Sequence, residues 1–278
     1  MVISARNLLL VLASALVCGC STVRFAYENA DAYVRWQAGR YLDLEGEDAD
    51  ELDDRIDEFH AWHRATALPK YVTLADQASQ RFADGLSRGD LVWGYDALRA
   101  QARESLHKAG ELLAPLLDRL TPEQVSQIER RIAEDNRQFY RDNLRGSERQ
   151  RRERRAKNVV NRLEDWVGKL TPAQLKRVRE YAERAPMADE LRDRDRKRLQ
   201  KDVVAILRAR EARTRLPARL AHWEQGREPE YVKALDAWRE QYFDLLIDLD
   251  RSLSAEQRKR ALGHLQRYAR DFAALAEQ

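Results

Sequence analysis

One short phrase limits what this chain can fold into, because the chain writes it three times. Leu120-Thr121-Pro122-Glu123-Gln124 returns as Leu170-Thr171-Pro172-Ala173-Gln174 and, loosened, as Leu253-Ser254-Ala255-Glu256-Gln257. Each copy spells out a helix start. Thr or Ser serves as N-cap, Pro fits the first helical position, and Gln at the third position closes a capping box. The Leu before the cap stands where a hydrophobic staple onto the first turn belongs. Eight and twelve residues after that Leu come Ile128 and Ile132, Val178 and Ala182, Ala261 and Leu265, all on one helix face. A weaker trace runs from Leu44 to Leu52 and Ile56, without the Thr-Pro or the Gln. The intervals of 76, 50 and 83 residues, counted from Leu44, are too unequal for a solenoid. The phrase is a reused helix start, and the fold class it predicts is all-α: a multi-helix bundle of antiparallel amphipathic helices.

Composition agrees. Charged residues make up 35% and hydrophobic ones 44%, with only 11 Gly and 7 Pro in 278 residues, the profile of long helices washed by solvent. Lys and Arg total 50 against 47 Asp and Glu, a balance that argues against nucleic acid as a partner.

Arg6 and the ten-residue apolar run from Leu8 to Val17 read as a signal segment too short to span a membrane. It ends in Val17-Cys18-Gly19-Cys20, which resembles the lipobox of bacterial lipoprotein precursors. That resemblance implies removal of residues 1–19 and a lipid anchor on Cys20, leaving 20–278 as one helical periplasmic domain with a candidate subdivision near Gly146. Ser21 at the next position resembles the sorting rule for the outer membrane. Both cysteines of the chain lie here, so the mature protein has no disulfide and depends on core packing.

Phe25, Tyr27, Tyr33, Trp36 and Tyr41 follow at once. Such residues suit a headgroup layer; the helical spacing of Tyr33, Trp36 and Arg40 favours a core helix instead. Residues 43–58 hold ten acids against one Arg, without the ligand order of an EF-hand, and read as a solvated face. In Phe59-His60-Ala61-Trp62-His63-Arg64, two histidines share a helix face with Asp57, a thin basis for a metal; a place near a helix C-terminus is the milder reading. Pro69, in Leu68-Pro69-Lys70-Tyr71, is expected to end one helix near Thr66 and begin the next. Asp90 is a candidate N-cap for a helix with Leu91, Tyr95, Leu98, Ala102, Leu106, Ala109, Leu113 and Leu116 facing inward.

Residues 145–157 are the most basic part, with Arg151, Arg152, Arg154 and Arg155 at its centre. They read as a wet face, or else as a patch for anionic lipid or cell-wall carboxylates. Asp189 to Gln200 alternates sign with only Leu191 and Leu199 apolar, and is expected to project from the bundle. Pro217 should reset the chain, and Tyr231–Leu249 with the helix after Ser254 looks like an antiparallel hairpin.

The Leu-Thr-x-x-Gln boxes at Leu120–Gln124 and Leu170–Gln174 resemble those of the Spy and CpxP group of periplasmic proteins. That resemblance implies a helical, cradle-shaped, chaperone-like or stress-adaptor protein. Across its length the chain resembles a family of proteobacterial lipoproteins of uncharacterised function. The residues that carry this are Cys20, Tyr33 to Leu42, Trp62-His63-Arg64, Leu68-Pro69-Lys70-Tyr71 and Leu253 to Gln257.

No Ser-His-Asp order, Cys nucleophile, His-Glu-x-x-His or phosphate loop appears. The reading is therefore a non-enzymatic, lipid-anchored binding scaffold of the envelope, without cofactor or metal, with the membrane and an envelope protein as partners. Its candidate interaction surface is Trp62, His63, Arg64, Pro69 and Tyr71 with Arg151, Arg152, Arg154 and Arg155. A structural wall-associated lipoprotein, or a hydrolase using His63 with a carboxylate, is the alternative.

Overall fold

A computed structural model of the protein describes residues 22–278, and among these every regular element is a helix. The lipobox and Cys20 lie outside the described residues. α1 (Thr22–Glu28), α2 (Ala30–Leu42), α3 (Glu47–Trp62) and α4 (Leu68–Ala83) lead to the long α5 (Arg88–Leu117). α6 (Pro122–Phe139), α7 (Glu148–Val167), α8 (Pro172–Arg184) and α9 (Asp189–Ala209) follow. α10 (Ala212–Ala221), α11 (Pro229–Asp250) and α12 (Ala255–Ala276) complete the bundle. α10 packs along α5, α12 along α4, and α7 along α8. The helix breaks at Gly146, yet packing crosses it: Leu120, Val125 and Ile128 share a core with Val204, Ile206 and Leu216.

All three boxes form as their sequence dictates. Thr121, Thr171 and Ser254 accept from the third backbone N–H, and Gln124, Gln174 and Gln257 accept from the cap's own N–H. The residues eight after each Leu are buried: Leu52, Ile128, Val178 and Ala261. What the sequence conceals is that the boxes dock in pairs. The Gln174 and Gln257 side chains donate to each other's oxygens, both at 3.1 Å. Gln174 also donates to the carbonyl of Ser252 (3.2 Å), and Gln257 to that of Lys169 (3.2 Å). Each of those carbonyls belongs to the residue before the partner's Leu. Gln124 makes the same bond, at 3.4 Å, to the carbonyl of Asp43, the residue before Leu44. The weak trace at Leu44 is thus the docking partner of the first box.

Several local expectations are corrected. Pro69 does not break the chain. A π turn over His63–Ala67 carries α3 into α4, with the N–H of Leu68 reaching back to the carbonyl of His63. The wider turn absorbs a proline that lacks an N–H and would crowd the preceding turn of an α-helix. Pro217 likewise sits inside α10, where an added Cβ on Gly110 of α5 would lie 2.7 Å from its Cα. Only glycine allows that close crossing. Ser87, rather than Asp90, caps α5, and Asp90 closes the box from the third position.

The charged stretch Asp189–Gln200 does not project. Asp193 is buried, Arg196 lies 4.0 Å over the ring of Phe139, and Gln200 bonds Asn136 at 2.9 Å. Arg198 and Arg227 share Asp195, at 2.8 and 3.1 Å. Guanidinium stems and planes supply the apolar contact that the sequence pattern seemed to lack. Nor do α11 and α12 form a packed hairpin. Leu245 and Leu249 of α11 join Leu170, Val178 and Tyr181, while α12 lies on α4.

The docked amides give a sharp expectation for stability. Gln174→Ala strands the Thr171 N–H, the Ser252 carbonyl and the amide of Gln257 in a dry site, and should cost about 2–4 kcal/mol in urea unfolding. Gln257→Ala should cost a similar amount, and the double variant much less than the sum. Gln124→Ala, at an exposed box, should cost about 1 kcal/mol. Equal losses at all three positions would rule out a special role for the buried pair.

Candidate functional site

α4 and α12 are packed together, but the first half of α5 stands off them. The gap is an apolar slot of about 410 Å³. Leu68, Leu74, Ala75 and Ala78 of α4 and Leu265 of α12 form its floor. Trp93, Gly94, Ala97 and Leu98 of α5 form one wall. The other wall is a run of rings: Tyr71 lies 5.6 Å from Phe272, Phe272 6.1 Å from Tyr268, and Tyr268 5.6 Å from Trp166. A further recess of about 300 Å³ continues past Ala78, Trp93 and Gly94 to Phe82 and Phe243. Leu98 stands 61% exposed on the lip. Of the stripe expected to face inward only Leu116 is buried; Leu113 is half-buried, Tyr95, Leu98 and Leu106 are exposed, and the buried face near the helix end carries Leu112 and Ala114 instead.

The polar chemistry of the slot gathers at the π turn. Tyr27 of α1 hydrogen-bonds Nδ1 of His63 at 3.1 Å and stacks on His60 with ring centres 4.7 Å apart. Burial raises the pKa of the Tyr27 phenol despite the nearby Arg64 cation. No carboxylate pairs with Arg64 among the described residues, and its Nε is buried without a partner. Asp57 is bonded instead to Arg35. No group of three or more metal-capable side chains occurs among the described residues.

The sequence-derived surface therefore divides. His63 and Tyr71 line the slot, Arg64 stands beside it, Trp62 packs against Phe59 at 5.7 Å, and Pro69 follows the π turn exposed to solvent. The basic cluster is spent internally. Arg152 and Arg155 donate to the carbonyls of Ala182, Ala185 and Pro186 at the end of α8, at 2.8 to 3.5 Å. Arg154 bonds the carbonyl of Arg145 at 2.7 Å, and Arg151 pairs with Glu190. The side chains of Arg151 and Arg152 are only 14% and 17% exposed, so the expected wet face is a helix clamp.

Trp93, Gly94, Trp166 and Phe272 were not legible as site residues, although a Gly between Trp93 and Tyr95 inside a helical pattern is a signal of room left for something. On α1 and α2 the core reading is overturned. Phe25, Tyr33 and Trp36 are 63%, 59% and 59% exposed. They sit on the outer face of a nearly continuous helix, with Arg40 stacked 5.1 Å over Trp36. Too few elements pack on that side to cover them.

Burial, and then His60, holds the imidazolium of His63 below its usual 6.5. His264, beside Trp166, is pushed down by burial and then by Arg267 and Arg260. A folded-state pKa below the unfolded one means that the unfolded chain binds more protons as pH falls. Both groups should therefore destabilise the fold below about pH 6.5 and contribute nothing above it. His63→Gln should flatten that fall in urea unfolding, and His63→Gln with His264→Gln should flatten it further. A slope identical to the parent's would mean that His63 is not held neutral.

No curated protein and no solved structure matches the chain. Residues 40–232, which include His63, Tyr71, Trp93 and Trp166, match a family described as of unknown function, DUF6279. That match covers well over half of the sequence, and the chain belongs to this family.

Proposed function

We propose that the protein is a lipid-anchored, non-enzymatic binding protein of the bacterial envelope. It is tethered through Cys20 to the outer membrane, faces the periplasm, and holds an apolar ligand in the slot between α4, α5 and α12. The slot carries this reading: a concave, ring-lined site with a few polar groups at one end is the ordinary form of a small-ligand pocket. The exposed Phe25, Tyr33 and Trp36 support the tether, since rings of this kind favour the headgroup layer and begin five residues after Cys20. A hydrolase would need a carboxylate beside His63, whose polar neighbour in the slot is a phenol. The resemblance to the Spy and CpxP group favours a second reading, a chaperone-like scaffold, for which exposed Tyr33, Trp36 and Leu98 would be the contact surface.

The tether is tested by metabolic labelling with palmitate in a Gram-negative host. The parent chain should take up label and fractionate with the outer membrane. Cys20→Ala should take up none and appear in the soluble periplasmic fraction. Labelling that persists in Cys20→Ala, or a parent chain without label, would overturn the tether.

A further inference from the structure

The lining of the slot says what class of molecule fits it. It runs along α4 from Leu68 to Ala78, which at the helical rise is about 15 Å, and the recess beyond reaches Phe82. An α-helix about 10 Å across fills roughly 120 Å³ per residue, so the slot's 410 Å³ with the recess's 300 Å³ would admit no more than about six residues of a partner helix, under two turns. An extended peptide would bury its N–H and C=O groups against rings and methyl groups, with almost nothing to bond them. A hydrocarbon chain has no such groups. Its length in one leaflet of a bilayer, half of a core about 30 Å thick, is also about 15 Å.

The polar end completes the description. Tyr27 and His63 line that end, and Arg64, next in the chain to His63 and near enough to Tyr27 to act on its phenol, has no carboxylate partner among the described residues. It complements an anionic head at the end of an apolar tail. We propose that the slot binds the acyl chain of a free, long-chain fatty acid, tail along α4 and carboxylate towards Arg64. This rests on the reading of the slot as the binding site. The protein's own anchor is not the occupant argued for, because its acyl carbonyls are tied up in ester and amide bonds and present no carboxylate to Arg64.

The slot reports on itself, because Trp93 and Trp166 line it. Gly94 offers the matching block: it lines the slot, and a Cβ added there meets nothing within 4 Å, so the position accepts a side chain. The full chain carrying Cys20→Ala, purified without detergent, is titrated with 9,10-dibromostearic acid, whose bromines quench tryptophan. The expected result is saturable quenching at one ligand per chain, weakened at least tenfold by Gly94→Leu. Arg64→Gln should weaken the acid several-fold and its methyl ester hardly at all.

Absent quenching, or quenching indifferent to Gly94→Leu, overturns the proposal. N-phenyl-1-naphthylamine, a neutral apolar probe, is run in parallel. Gly94-sensitive binding of that probe without dibromostearate overturns the fatty-acid assignment and leaves the slot as a binding site; loss of both overturns both. The lipidated chain in phosphatidylethanolamine vesicles is the last arm. Uptake there equal to that of the Cys20→Ala chain supports a free ligand, and a slot already closed to added acid would assign it to the anchor's own chain instead.

Discussion

Two glutamine side chains set the position of much of this bundle. Gln174 and Gln257 are buried, and each amide oxygen accepts both the N–H of its own N-cap and the other amide. Each amide nitrogen in turn serves a carbonyl beside the partner's Leu. A glutamate would close a capping box as well as glutamine does. It could not donate, however, and two of them meeting in a dry site would place like charges about 3 Å apart. The choice of Gln in the phrase is thus a tertiary requirement written into a local motif. The box at Ser87, closed by half-buried Asp90, shows the contrast: its carboxylate pairs with Arg81 at 2.8 Å and meets no second box.

From that junction the rest of the site follows. Asp250, buried one turn before Ser254, accepts from the N–H of Leu86 at 3.0 Å and from Arg258 at 2.9 Å. Arg258 also holds the carbonyls of Phe82 and Asp250. The end of α4, the end of α11 and the start of α12 are therefore tied at one point, which lays α12 along α4. α5 leaves the same junction, its cap Ser87 following Leu86 directly and Arg81 pairing with Asp90, and is held farther on by the contact of Gly110 with Pro217 and by Arg99 and Arg103 on Glu224. α4 and α12 pack along each other while α5 is drawn towards these other partners, and the slot is the gap left between them.

Helix starts, their capping geometry and the buried face eight residues on were all readable, because each depends on neighbours within a turn or two. The pairing of boxes was not, since nothing local distinguishes a Gln that caps from a Gln that caps and docks. Pro69 misled for a related reason: a proline's local penalty is real, but a π turn placed four residues earlier removes it. Alternating charge at Asp189–Gln200 reads as a helix without a buried face. The inference failed because it counts arginine as wholly polar, whereas Arg192 and Arg196 cover Phe139 with their planes. His63 and Tyr71 stand out in the sequence for their unusual neighbours, while the residues that line the slot with them come from α5, α7 and α12, which no local pattern joins to them.

The same use of arginine explains why so charged a chain turns apolar surface outward. Arg152 and Arg155 close the end of α8, Arg258 that of α4, and Arg198 the turn at Trp223 to Gln225. Helix ends that other proteins finish with glycine or solvent are finished here with guanidinium groups. Charge is thereby drawn inward to hold a fold with no disulfide among its described residues, and the outer faces of α2 and the first half of α5 are left to rings and leucine. In water alone that arrangement would be a liability. Beside a membrane, or with a chain of methylenes laid along α4, it becomes the working surface of the molecule.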